Sequence, residues 1–320
     1  MKDFSRSDPP KNKKDMKINK TIAFMFLALL AAGCSKEENS ETRLKVFAEN
    51  MTNASGSKLQ IDAGNPANSS QWLNNENINV NGSVKTISGD NTNGYSVDVN
   101  GVSLSGDSFN GYYAVYPGDD FNGNDVTVSN SNTTASITLN KLVLNFHAGA
   151  TTHDVVFPMG GKVNEASASE GLIFKHLAAG FRLTLNATTG VTLTNLRVIV
   201  YGSAAAAPVT DAVEGVTYTV KWADQAPTVP GGGVGNLTDQ EVAFASVMDF
   251  DLKTDGSAGL TIAGGGSRQL CIPVTLATVK RITVIGYNGV NQVFAKTSAI
   301  STPPALERNK IYPVKAIAIN

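Results

Sequence analysis

Beyond residue 43 the chain is a succession of short runs that alternate apolar and polar residues. Leu44-Lys45-Val46-Phe47, Ile78-Asn79-Val80, Tyr95-Ser96-Val97-Asp98-Val99 and Ser136-Ile137-Thr138-Leu139 all show the period of two. In an extended strand that period puts one face on a core and the other in water. Asn-Gly punctuates the runs at Asn81-Gly82, Asn93-Gly94, Asn100-Gly101, Asn110-Gly111, Asn122-Gly123 and Asn288-Gly289. Both residues tolerate positive φ, so these dipeptides predict hairpin turns. Phe174 to Leu185, Leu193 to Tyr201, Val216 to Trp222 and Lys280 to Tyr287 read as further strands or strand pairs. No amphipathic helix of three turns stands out after residue 33. The expected class is all-β. Val163 to Gly171 is small and polar and reads as a joint, which predicts an N-terminal β-sandwich over 44–165 and a C-terminal one over 166–320, in series. Pro227 to Gly235, with three consecutive glycines, reads as a flexible loop.

The first 33 residues follow a different grammar. Lys17 and Lys20 precede an apolar run from Ile22 to Leu30, then Ala31-Ala32-Gly33 leads to Cys34. This is the pattern of a bacterial lipoprotein signal, in which the thiol of Cys34 accepts lipid through a thioether. A transmembrane helix needs ~20 apolar residues, and this run is too short. An ordinary secretory signal would not require a cysteine after the small residues, and an interior helix would not follow a basic leader. Met16-Lys17-Ile18-Asn19-Lys20 is already a complete basic start, so Met16 is read as the true initiator and 1–33 as the signal peptide. Residues 34–43 are polar and read as a tether.

Charge narrows the function classes. The leader holds seven of the 26 Lys and Arg and three of the 27 Asp and Glu, leaving 19 basic and 24 acidic residues and a net charge of −5. Nucleic acid, which needs a basic face, is therefore not an expected partner. With Cys34 lipidated, Cys271 is the one remaining cysteine, so neither an internal disulfide nor a cysteine zinc site is available. Between Leu270 and Ile272 it reads as a small buried hydrophobe.

Candidate chemistry is sparse, and no catalytic, metal or cofactor residues are assigned. Of the three histidines, His153 beside Asp154 reads as a solvated turn, His176 as a packed or hydrogen-bonded strand residue, and His147 lies near a glycine turn. No Gly-x-Ser-x-Gly motif accompanies them, so no enzyme is expected. Asp120 to Asp125 alternates oxygen-bearing residues as a calcium loop would, but lacks glycine at the sixth place and has Ser131 at the twelfth. Asp249, Asp251 and Asp255 are irregularly spaced, and Gly231 to Gly233 and Gly264 to Gly266 lack the Lys-Ser/Thr of a phosphate loop. Tyr218 and Trp222 share one face of a strand, which reads as core, with a sugar or protein platform as the alternative.

Four segments resemble the fimbrillin family, the lipoprotein-derived subunits of type V pili. Trp72 to Val80 is similar to the family's early Trp, acidic residue and Ile-x-Val strand, and Tyr112-Tyr113-Ala114-Val115-Tyr116-Pro117 to its aromatic-Ala-x-Tyr-Pro strand. Phe174-Lys175-His176-Leu177 resembles its Phe-x-His-Leu strand, and Arg308-Asn309-Lys310-Ile311-Tyr312 its terminal Arg-Asn-x-x-Tyr signature. The resemblance implies two transthyretin-like sandwich domains, export to the outer membrane through lipid on Cys34, and proteolytic removal of the first strand. A donor strand from another pilus subunit would then fill the vacated groove at the cell surface, within a fimbrium. Here Leu44 to Met51 would be the removable strand. Lys58 is the preferred cleavage point and Arg43 the alternative, although a cut at Arg43 would leave the strand attached. The final run Lys315 to Ile319 is a single alternating strand, which leans toward a tip or accessory place. The alternative function is a permanently lipid-anchored surface lipoprotein that binds a glycan or a host protein.

Overall fold

A computed structural model describes residues 43–49, 52–53, 72, 75–90, 92–120, 122–148, 153–201, 215–222, 247–274, 279–299 and 306–319. Cys34 and Lys58 lie outside the described residues. The first strands are β1 (Arg43–Ala48), β2 (Thr52–Asn53), β3 (Asn77–Val80), β4 (Ser83–Asp90), β5 (Gly94–Asp98), β6 (Gly111–Tyr116), β7 (Asp125–Asn130) and β8 (Thr134–Phe146). Next come β9 (His153–Asp154), β10 (Met159–Asn164), β11 (Leu172–His176), β12 (Ala179–Ala187), β13 (Val191–Leu193), β14 (Asn195–Tyr201) and β15 (Val216–Lys221). The last are β16 (Val247–Thr254), β17 (Ser257–Ala258), β18 (Leu260–Ile262), β19 (Ser267–Val274), β20 (Arg281–Asn288), β21 (Asn291–Ala299), β22 (Lys310–Pro313) and β23 (Ile317–Ile319). A six-residue 3₁₀ helix spans Glu165–Glu170. The fold is all-β. No helix among the described residues is long and apolar enough to cross a membrane.

The period-two pattern sets the burial. In β15, Val216, Tyr218 and Val220 point inward while Thr217, Thr219 and Lys221 alternate outward, and β20 shows the same rhythm. Asn-Gly supplies the hairpins where the sequence predicts tight turns between adjacent strands. Asn81 and Gly82 both take positive φ (48° and 85°) between β3 and β4, and Gly94 and Gly289 do so at the β4–β5 and β20–β21 turns. At the other Asn-Gly sites the positive φ bends loops rather than hairpins, as at Asn122-Gly123 before β7.

Seven strands close into a barrel in the order β1-β11-β10-β6-β3-β4-β5. β1 completes it, antiparallel to β5 on one side and parallel to β11 on the other. A second sheet runs β19-β12-β22-β2, with β23 also on β12. The largest sheet follows β15-β8-β16-β14-β20-β21, with β7 and β9 on β8 and β17 on β16, and β13 pairs with β18 apart. The 3₁₀ helix falls within the segment 163–171 that the sequence reads as a joint. β11, beyond it, belongs to the barrel, and β8, before it, pairs with β15 and β16 of the large sheet. One apolar cluster runs through these sheets and includes Leu44, Trp72, Tyr116, Phe174, Phe181, Tyr218, Trp222, Phe250 and Ile319.

Candidate functional site

β1 is the element on which the sequence expectation of a removable strand falls. Its six residues alternate, with Leu44 and Val46 buried in the barrel and Arg43, Lys45 and Phe47 turned out. Leu44 and Val46 lie opposite Val97 and Tyr95 of β5, and Val46 to Ala48 run beside Leu172 to Phe174 of β11. Gly171, which caps the 3₁₀ helix and leads into β11, must be glycine for this fit. Its φ is 94°, and a Cβ there would come within 2.9 Å of the Lys45 carbonyl oxygen and 2.8 Å of the Phe47 ring.

The end of β1 is fastened by groups from two distant elements. Arg43 is exposed and donates from Nη2 to Ser88 Oγ at 2.9 Å. Glu49, just past the strand, donates its backbone N–H to the Phe174 carbonyl at 2.8 Å. Its own carbonyl lies 2.9 Å from His176 Nε2, and its carboxylate Oε2 accepts from the His176 backbone N–H at 3.2 Å. Arg308 Nη1 completes the group with an ion pair to the same Oε2 at 2.8 Å. Burial, reinforced by the nearby Arg308 charge and opposed by the bond to Glu49, lowers the His176 pKa to about 4. His176 is therefore neutral near pH 7, and its Nε2–H donates to the Glu49 carbonyl. Lys175 is pushed below the ordinary lysine range, first by burial and then by Arg308.

Residues from the four segments singled out in the sequence meet around this end of the barrel. The Trp72 indole packs edge-on against Tyr116 (5.1 Å between ring centres) and Phe174 (5.2 Å). The Tyr116 hydroxyl donates to Glu76 Oε1 at 2.5 Å, and burial together with the Glu76 charge raises its pKa well above the usual value. Asn309, at φ 60°, donates its N–H to the Ala178 carbonyl, and the Tyr312 hydroxyl accepts from the Glu307 N–H. β2 then lies parallel to β22, with Thr52 beside Lys310 and Asn53 beside Ile311. The segment from Arg308 to Ile311 thus touches both the end of β1 and the strand that follows it.

No family model matches the chain, and no curated protein matches it. Among solved structures it is similar to a candidate cell adhesion protein from Bacteroides ovatus, at 13% identity and a TM-score of 0.40, covering 86% of this chain and 91% of that one. A second candidate cell adhesion protein, from Bacteroides uniformis, matches at 12% identity and a TM-score of 0.38, covering 87% and 94%. Superpositions this loose transfer neither fold nor role.

The remaining candidate residues fall in other places. His153 is buried rather than solvated, stacked on Phe146 at 5.0 Å, with Nε2 within hydrogen-bond distance of both the N–H and the carbonyl of Cys271. Asp154 meets His147, whose Nε2 lies 3.1 Å from Asp154 Oδ1 and whose Nδ1 lies 3.6 Å from Asp255 Oδ1, and it also accepts from Asn145 Nδ2 at 3.4 Å. The hydrogen bond to Asp154 is the main cause of its raised pKa. Cys271 is buried, and desolvation pushes its thiol up to about 12. Tyr218 and Trp222 are core residues. Asp249 is held by Arg197 in a two-bond ion pair, while Asp251 meets Lys141 and Asn195. Among the described residues no group of three His, Cys, Asp or Glu is placed to hold a metal ion. Glu49 is the site residue that pattern reading passes over. Its signal, an acidic residue ending an apolar run, is too common to stand out.

Proposed function

We propose that this chain is a fimbrial subunit or fimbria-associated adhesin of the cell surface, exported to the outer membrane as a precursor lipidated on Cys34. A cut after Lys58 removes β1 and β2 together with the lipid, and a strand of another pilus subunit takes their place. The role is structural and adhesive, with no catalysis and no cofactor, and a host protein or glycan is the adhesive target.

The observation that carries this reading is the position of β1. It is a single peripheral segment in sequence but a central strand of the barrel, paired on both sides. Losing it would leave two unpaired strand edges and the sockets of Leu44 and Val46. An apolar side chain of this size gains ~1.5–3 kcal/mol on burial, so a replacement strand that refilled both sockets would recover roughly 3–6 kcal/mol besides its backbone bonds. An exposed edge of this kind also recruits another chain readily. β23 supports a tip or accessory place over a shaft place. Ile317 and Ile319 are buried and the strand is paired with β12 of its own chain, so it would have to be withdrawn before it could be donated.

The fastening of Glu49 favours a second reading, in which β1 stays and the protein remains a lipid-anchored surface binder. N-terminal sequencing of the surface form separates the two. A terminus at Leu59 is the expected result, and acylated Cys34 as the only terminus would overturn the maturation.

A further inference from the structure

We infer that Glu49, His176 and Arg308 form a latch that governs how readily the first strand leaves the barrel. The inference rests on the strand-release reading for its consequence and on geometry alone for its existence.

The bonds to Glu49 come from two elements far apart in the chain. β11 supplies the Phe174 carbonyl and the His176 N–H and ring, while Arg308 arrives from a turn 259 residues away from Glu49. Both side chains of the Glu49–Arg308 pair are only 16% exposed, so water screens the pair weakly and each partner needs the other. The carbonyl, amide and carboxylate of Glu49 are all engaged, whereas Arg43 at the other end of β1 lies at the surface.

The same turn places Lys310 and Ile311 beside Thr52 and Asn53. Docking of Arg308 to Ile311 therefore secures both pieces of the leading segment, β1 through a side chain and β2 through backbone pairing. Asn309 fixes the turn by its bond to Ala178 and its left-handed φ of 60°. Losing the Arg308 ion pair would remove one of the two elements that hold Glu49 and leave only the bonds from β11, which makes release of the strand depend on the C-terminal signature as well as on a protease.

Hydrogen exchange read by mass spectrometry on the full chain tests the latch without reference to fibres. In R308Q and in E49Q the amides of residues 44–48 are expected to exchange roughly tenfold faster than in wild type, the effect of losing a charge-assisted bond. R308K is expected to recover part of the protection, and the amides of β12 and β14 are expected to stay unchanged. Unaltered exchange in 44–48, or an equal acceleration in β12 and β14, would overturn the latch. The same samples treated with trypsin separate this inference from the maturation reading. After a nick at Lys58, the fragment ending there is expected to dissociate roughly tenfold faster from R308Q, and equal dissociation rates would count against the latch. If trypsin makes no nick at Lys58, the proposed maturation fails while the exchange result still decides the latch.

Discussion

Acidification should loosen the protein at His176, and the size of the effect follows from its burial. The folded chain holds this imidazole with a pKa of about 4, against 6.5 for the unperturbed group. Between those values the unfolded chain carries a proton that the folded chain lacks, so each step down in pH favours unfolding. The stabilisation is complete above pH 6.5 and is lost as pH falls through about 4. Two and a half units at ~1.36 kcal/mol each come to roughly 3 kcal/mol. His153, buried and also lowered, shifts stability in the same direction, while His147, raised chiefly by Asp154, acts in the opposite one. Comparison with H176Q isolates the His176 share. Urea unfolding of both proteins at several pH values from 7.5 to 3.5 should show their stability difference changing by roughly 3 kcal/mol, with wild type losing the advantage in acid. A difference that stays constant over that range would refute the assignment of a buried neutral His176 bonded to Glu49.

Two other substitutions or probes test the packing around the strand and the core. Gly171→Ala places a methyl group against β1 at a φ of 94° that only glycine adopts easily, and is expected to lower the urea midpoint by an amount equivalent to roughly 2–4 kcal/mol. An unchanged midpoint would show that β1 does not lie against this turn. Cys271, with its thiol buried and raised to about 12, should resist a thiol reagent at pH 8 until denaturant unfolds the chain, with modification measured by absorbance. Prompt labelling of the native protein would place the residue elsewhere.

How much of this was legible in advance depends on the range over which each feature acts. Strand identity is local: the alternation in Val216 to Trp222 and Lys280 to Tyr287 predicted β15 and β20 almost to the residue, because facing a core at every second position is a constraint the sequence must write out. The Asn-Gly turns were equally legible wherever two adjacent strands had to reverse within two or three residues. His153 was misread for a related reason. A polar pair ahead of Val155 looks like a turn, but β9 lies on β8 and carries the ring inward to the backbone of Cys271, a partner 118 positions away. No local pattern encodes that meeting.

The amino-acid sequence by itself determined the all-β class, the placement of most strands and turns, the buried character of Cys271, Tyr218 and Trp222, and the four segments worth watching. Each of these follows from short-range periodicity or from the backbone preference of a residue with its neighbours. Only the tertiary structure decided which strands pair: that β1 runs parallel to β11 to close a barrel, that β8 lies beside β16, and that β23 returns to β12 of its own chain. It alone brought Trp72, Tyr116 and Phe174 into one cluster and set Arg308 on Glu49. The physical reason is that pleated edges offer the same hydrogen bonds to any neighbour, so the choice of partner rests on side chains packed from distant parts of the chain.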